Sequence, residues 1–123
     1  MSYINYEVPD ELKKKVAKFV SDIVKLDKRN IRKGVNETTK NVERQKAKLV
    51  VLAGDVDPPQ VVFHLPIICD EKNVPYVFVN TKEDLGKAAD LSVGCAAIAV
   101  VSVPKEQEAE LKEISSKFKT LKK

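Results

Sequence analysis

Three short apolar runs, the last interrupted only by Ser102, constrain this chain more than any other feature. They are Leu49-Val50-Val51-Leu52-Ala53, Tyr76-Val77-Phe78-Val79 and the stretch from Ala96 to Val103. Each has the length of a strand and lacks the polar alternation of a half-solvated one, so each predicts a strand covered on both faces. Between them the spacing turns helical. Pro9 opens a helix to about Leu26, with Leu12, Val16, Phe19, Val20 and Ile23 three or four residues apart. Asn30 to Lys33 reads as a short link or edge strand, broken by Gly34. Asn36 is expected to cap a second helix from about Glu37 to Lys46, because its side-chain oxygen can accept the free N–H groups of the first turn. Gly54 to Pro59 reads as a loop, after which Pro58 or Pro59 starts a helix carrying Val61, Val62 and Leu65. Pro66 breaks or restarts that helix, and the next helix ends near Lys72. Thr81-Lys82-Glu83-Asp84 resembles a capping box with Asp in place of Glu, its helix running to about Ala89. Pro104 leads into a last amphipathic helix with Leu111, Ile114 and Phe118. Strands alternating with helices predict an α/β fold, a three-layer α/β/α sandwich around a small, largely parallel or mixed sheet.

A chain of 123 residues fits one domain with one core, and neither an internal repeat nor a linker-like break divides it, so residues 1–123 are expected to form a single domain. Hydrophobic residues at 43% beside charged residues at 33% describe a chain that buries a core and stays in solution. No apolar run approaches the roughly 18–20 residues needed to cross a bilayer, and no apolar stretch backs the basic residues of the first segment. The expectation is a cytoplasmic protein with no membrane partner, and nothing demands more than a monomer.

Two cysteines, Cys69 and Cys95, make no disulfide framework, and with the single His64 they fall short of the roughly four ligands of a zinc site. Buried free thiols, no metal and no cofactor are expected. His64, between Phe63 and Leu65-Pro66, reads as a packed or rim histidine before it reads as a general base. The chain contains no GxGxxG, no GxxxxGK[ST] and no GxSxG, so the standard phosphate cradles and the nucleophile elbow are missing. Asp55 and Asp57 follow a buried strand, where α/β enzymes hold Mg²⁺, but the DVDPP stretch also suits capping and starting the next helix. A small Mg²⁺-dependent hydrolase is thus the enzymatic rival, without a nucleophile or a phosphate loop.

The charge is unevenly spread. From Lys25 to Lys48 nine basic residues face three acidic ones, an excess of six in a chain whose net charge is +4. All three arginines, Arg29, Arg32 and Arg44, lie in this segment, and a guanidinium is a planar fork suited to phosphates and base edges. A solvated basic face is the plain alternative. Within the segment, Arg32-Lys33-Gly34-Val35-Asn36-Glu37-Thr38-Thr39-Lys40 carries the most information. A glycine before a helix lets a partner's backbone come close, and the helix N-terminus offers free N–H groups to an anion. Asn36 and Lys40 lie one turn apart. Glu37 would weaken simple phosphate binding but can accept hydrogen bonds from the N1–H and N2–H edge of guanine, with Asn36 and Lys40 meeting O6 and N7 acceptors. Equally, Glu37 is a first-turn acid favoured by the helix dipole. The small-residue, apolar stretch Leu91-Ser92-Val93-Gly94-Cys95-Ala96-Ala97, a loop entering a strand, reads either as an ordinary approach to the core or as a shallow platform for an unstacked base. A protein-only scaffold whose helices dock partners would leave both the basic segment and Glu37 unexplained.

GVNETTK with AKLVVLAGDVDP, then HLPIICDEKNVPYVFV, then LGKAADLSVGCA, closely resembles the archaeal L-seven-Ae family of kink-turn-binding ribosomal proteins, over about Val8 to Val103. The resemblance implies an α/β/α sandwich that binds kink-turn or kink-loop RNA, in which tandem sheared G·A pairs follow a bulge, and that catalyses nothing itself. It implies roles in the large ribosomal subunit, in box C/D and H/ACA guide ribonucleoproteins and in RNase P. The implied partners are ribosomal RNA, guide RNAs, RNase P RNA and the scaffold and modification-enzyme proteins of the guide particles. Family guanine contacts fall on Asn36, Glu37 and Lys40, with Gly34 allowing close approach, and backbone contacts on Lys33 and Arg44. The pocket for the flipped-out bulge nucleotide falls on Val61, Lys82 and the loop Leu91, Ser92 and Val93. Ser92 stands where many archaeal relatives carry an acid, Gly94-Cys95 where they carry alanines, and Gln45-Lys46 where a glycine-containing turn is common.

Overall fold

The computed structural model describes residues 6–56 and 59–121, the Pro59 side chain excepted. Asp57 and Pro58 therefore lie outside the described residues. Helix α1 spans Asp10–Leu26 and turns Leu12, Val16, Phe19, Val20, Ile23 and Val24 inward. Pro9 is its N-cap and not its first helical residue; the Pro9 carbonyl accepts the Lys13 N–H at 3.0 Å. A 3-10 turn, Lys28–Asn30, leads into strand β1, Ile31–Lys33. Then follow α2 (Val35–Glu43), β2 (Leu49–Ala53), a 3-10 turn at Pro59–Val61, α3 (His64–Lys72), β3 (Tyr76–Val79), α4 (Lys82–Ala88), β4 (Ala97–Val100), a 3-10 turn at Lys105–Gln107 and α5 (Glu108–Leu121).

The sheet runs β1-β4-β2-β3. Strand β4 is antiparallel to both neighbours, with Ile31 opposite Val100 and Val51 opposite Ile98, and only β2 and β3 are parallel, with Leu52 opposite Phe78. The sheet is thus mixed and mainly antiparallel. Helices α1 and α4 pack together over β3 and β2, while α2 and α3 pack together with α2 over β4 and β1. This two-sided cover is why every residue of β2, β3 and β4 is buried. The edge of β3 is closed by Tyr6, whose hydroxyl donates to the Tyr76 carbonyl, and by Phe118 of α5, whose ring centroid lies 4.9 Å from that of Tyr76.

Several boundaries differ from the sequence expectation. Asn36 is not a cap: Gly34, at φ 96°, is the N-cap of α2, and Asn36 is the second helical residue. The helix also stops at Glu43 instead of Lys46. Gln45 turns left-handed at φ 59°, its N–H donates to the Val42 carbonyl at 3.0 Å and the Lys46 N–H to the Asn41 carbonyl at 2.8 Å. Those two bonds close the helix in a Schellman arrangement. Asn73 and Asp90 end α3 and α4 the same way, at φ 58° and 59°. Strand β4 is half its expected length because β1 offers only three partners, after which the Val101 N–H turns to the Asn30 carbonyl. Pro66 lies in the first turn of α3, where its missing N–H costs nothing, so the helix runs through it.

Candidate nucleic-acid interface

Strand order decides which loops meet. β1, β2 and β3 all run toward one end of the sheet, and antiparallel β4 starts there. Three backbone bonds tie that end together: Gly34 N–H to Ala97 O at 2.9 Å, Ala53 N–H to Ala96 O at 2.9 Å and Gly54 N–H to Val79 O at 2.8 Å. The connections leaving this end are the Gly34 turn into α2, the loop after β2 with the turn ending at Val61, the Asn80-Thr81 step into α4, and the loop from Leu91 to Ala96. Nine of the eleven sequence-predicted site residues lie on these connections or on the element ends they join: Lys33, Gly34, Asn36, Glu37, Val61, Lys82, Leu91, Ser92 and Val93; Lys40 lies a turn further along α2. Arg44, the C-cap of α2, lies at that helix's far end.

The start of α2 is open on its outer side. An added Cβ at Gly34 would meet nothing within 4 Å, so glycine is required by its φ of 96° and not by crowding from the protein. Thr38, fully buried, donates its hydroxyl to the Gly34 carbonyl at 2.7 Å and anchors the first turn from beneath. Lys33, Asn36 and Lys40 are exposed and Glu37 half-buried. The Lys40 ammonium stands 3.1 Å from the Glu37 carboxylate. Glu37, Lys40, Asn41 and Arg44 form one stripe along α2 and line a groove of about 630 Å³ with Arg32, Lys46 and Lys48. Five cations and one carboxylate therefore share a single concave face. Arg32, Lys46 and Lys48 belong to the basic segment, yet only the fold brings them to this groove. Asn36 and Lys33 lie outside it, on the Gly34 side.

Helix α2 is held against α3 by a bond between His64 Nε2 and Thr39 Oγ1 at 2.8 Å. The Thr39 hydroxyl also donates to the Val35 carbonyl at 2.8 Å, so one oxygen ties the helix backbone and the imidazole together. His64 is thus a positioning residue of the basic helix, in line with its reading as a rim histidine.

The second part of the site is the apolar loop. Val93 is 70% exposed and Val61 47% exposed, so neither is spent on the core. Leu91 is half-buried and Ser92 exposed. This loop lies on α4, and the contact explains Gly86, which sequence reasoning did not single out. A Cβ there would stand 2.2 Å from the Val93 carbonyl oxygen, so only glycine admits the loop. The Leu91 N–H caps α4 by donating to the Gly86 carbonyl at 2.8 Å, and the Cys95 N–H donates to the Lys82 carbonyl at 3.0 Å. A glycine inside a helical pattern was the available signal. Asp55 has a related duty. Its carboxylate accepts the Lys82 N–H at 2.8 Å, so it holds the first residue of α4. Thr81 does cap α4, accepting the Asp84 N–H at 3.0 Å.

Cys69 and Cys95 are buried free thiols; burial, followed by the nearby Asp70 carboxylate, pushes Cys69 up to about 12. Among the described residues no group of three or more His, Cys, Asp or Glu could hold a metal ion, and no helix is long and apolar enough to cross a membrane.

Residues 10–110 match the model of the Ribosomal protein L7Ae/L30e/S12e/Gadd45 family. The chain belongs to this family. Among solved structures it is similar to a Giardia lamblia 15.5kD RNA binding protein, at 34% identity and a TM-score of 0.86 over 95% of this chain and 94% of that one. The mixed four-stranded sheet between helical layers is the fold of this family.

Proposed function

We propose that this member of the L7Ae family is a non-catalytic RNA-binding protein that recognises kink-turn and kink-loop motifs with tandem sheared G·A pairs. One observation carries the reading: a glycine-opened helix start presents Asn36, Glu37 and Lys40 beside a cationic groove, at the same end of the sheet as the exposed apolar loop. Family membership and the likeness to an RNA-binding protein support the ligand class. Asn36, Glu37 and Lys40 read the guanine edges, Gly34 admits the RNA backbone, and Lys33 and Arg44 contact phosphates. Val61, Lys82, Leu91, Ser92 and Val93 receive the nucleotide extruded from the bulge.

A sharply bent RNA brings the phosphates of two arms together. A cationic surface across the bend lowers that repulsion, and base contacts select the bent form, so the protein shifts a pre-existing population. In the cell this activity fits a cytoplasmic, monomeric single-domain protein of the large ribosomal subunit. It equally fits the nucleating core of box C/D and H/ACA guide ribonucleoproteins and RNase P, with roles in ribosome biogenesis and tRNA processing. Modification chemistry belongs to partner proteins. The test is a titration with a kink-turn RNA and with a control whose sheared G·A pairs are replaced by Watson–Crick pairs. Binding at least tenfold tighter to the kink-turn is expected; equal binding to both overturns the proposal.

A further inference from the structure

The other face of the sheet carries a second cationic groove, between α1 and α4, of about 440 Å³. Its polar lining is Lys13, Lys14, Lys18, Asn80, Asp84 and Lys87, and the remainder is small and aliphatic. Lys13 donates to Asn80 Oδ1 at 2.6 Å, which fixes one end of the groove at the C-terminus of β3, two residues from Lys82. Lys14, Lys18 and Lys87 are exposed, and none forms a salt bridge with another described residue. Outside Lys25–Lys48 the chain carries a net charge of −2, so four lysines facing one carboxylate are a local reversal and not an overflow of the basic segment.

We propose that this groove is a second, sequence-independent RNA contact, taking the phosphodiester backbone of a duplex arm that leaves the recognition end. The inference rests on the kink-turn reading for which RNA is delivered, and on the groove itself for how it is held. Lysine offers a compact point charge and no planar fork, which suits the phosphate oxygens of a backbone. Its apolar lining is the buried Val79 and the half-buried Ala17 and Ala88, with no exposed apolar side chain like Val93 and no aromatic ring on which an unpaired base could rest. Both features favour the backbone of a duplex over a single strand. The α2 groove runs along one face from Glu37 to Lys48 and Val101 at the opposite end of the sheet, and this groove begins on the other face at Asn80, so cations extend from the recognition end along both faces, where two arms of a bent RNA diverge.

The experiment compares the wild-type protein with Lys14→Gln/Lys18→Gln/Lys87→Gln, three exposed positions outside the recognition residues. Three RNAs are titrated over a salt series: a kink-turn with minimal arms, the same kink-turn with arms longer by a helical turn, and a plain duplex. The wild type should bind the long-armed RNA about tenfold tighter than the short one and with a steeper salt dependence. The triple variant should erase that gain, flatten the slope by about two to three units and leave the short-armed RNA unaffected. The plain duplex should weaken in parallel; that measurement needs no kink-turn recognition and so separates failure of this inference from failure of the reading above. Wild-type indifference to arm length overturns the proposal. So does a triple variant that binds all three RNAs normally, including one that has instead lost affinity for an acidic protein segment.

Discussion

In the free protein the Glu37 carboxylate and the Lys40 ammonium face each other at 3.1 Å with both side chains about half exposed. A pair so solvated contributes little to stability, which leaves Glu37 available to a ligand. Its charge and its proposed chemistry then predict opposite signs. If Glu37 is only a first-turn acid, removing it from a cationic groove strengthens RNA binding. If it accepts the N–H groups of a guanine, Glu37→Ala strands buried donors, at a cost of roughly 1–3 kcal/mol and more when the lost partner is charged. Glu37→Ala should therefore weaken kink-turn binding at least tenfold, about 1.4 kcal/mol being one decade, while plain duplex binds equally well or slightly better. Paired titrations at fixed salt check this, and equal tightening of both RNAs removes the base-reading role. Val93 makes a complementary test. At 70% exposure it contributes little to the core, so Val93→Asp should leave the melting temperature nearly unchanged. Its kink-turn affinity should drop by roughly 1–3 kcal/mol if a base covers it, the scale of burying a polar group without a partner. A collapsed melting temperature with normal binding per folded molecule would show the reverse.

Among the elements, strands were legible where burial alone defined them: the runs Leu49–Ala53 and Tyr76–Val79 coincide with β2 and β3. Ends governed by long-range pairing were not. The α2 start is set by Gly34, whose N–H is held by the Ala97 carbonyl across the sheet, and no local pattern at Asn36 reveals that bond. Gln45, Asn73 and Asp90 end three helices in left-handed conformations that glycine adopts more readily, so the usual stop signal is missing. The basic segment was visible as composition, yet its division between Lys33 and Asn36 on one side and the Arg32–Arg44–Lys48 groove on the other needed the order β1-β4-β2. Gly86 shows how far an element can depend on one missing methyl. Ala at an ordinary helical position gains about 1 kcal/mol over Gly, but here its Cβ would collide with the Val93 carbonyl at 2.2 Å. Gly86→Ala should therefore lose roughly 1–3 kcal/mol of stability, the range for overpacked sites. Hydrogen exchange at Leu91 and Cys95, whose N–H groups bond α4, should rise. A stabilised Gly86→Ala with unchanged exchange would mean that the loop does not rest on α4 as described.

Across the whole molecule, the proposed RNA contacts and the packing that closes the fold occupy different places: Lys40, Arg44 and Val93 are exposed, while the sheet is closed at its β3 edge by Tyr6, Tyr76, Phe78 and Phe118. The rings of Tyr6 and Phe118 lie 5.7 Å apart in an edge-to-face arrangement, so the segment before α1 and the last helix meet over the same strand. Tyr6 locks this closure through its hydroxyl, which donates to the Tyr76 carbonyl. Burial, and after it the neighbouring Tyr76 hydroxyl, raises the Tyr6 pKa well above the ordinary tyrosine value of 10.0. The folded state thus favours the neutral phenol, whereas the unfolded chain ionises at its ordinary pKa. The stability from Tyr6 is fully present below about pH 10 and is lost progressively above it, as the unfolded state releases a proton that the folded state retains. The Tyr6→Phe variant isolates this effect. The variant keeps the ring contacts and loses the donor, and at neutral pH it should be less stable by about 1 kcal/mol, the scale of one hydrogen bond. Its denaturant midpoint should then fall less steeply than the wild type's between pH 9 and pH 11, so the two curves converge on the alkaline side. Parallel curves across that interval would show that the Tyr6 hydroxyl is open to solvent and that the β3 edge is held by the aromatic rings alone.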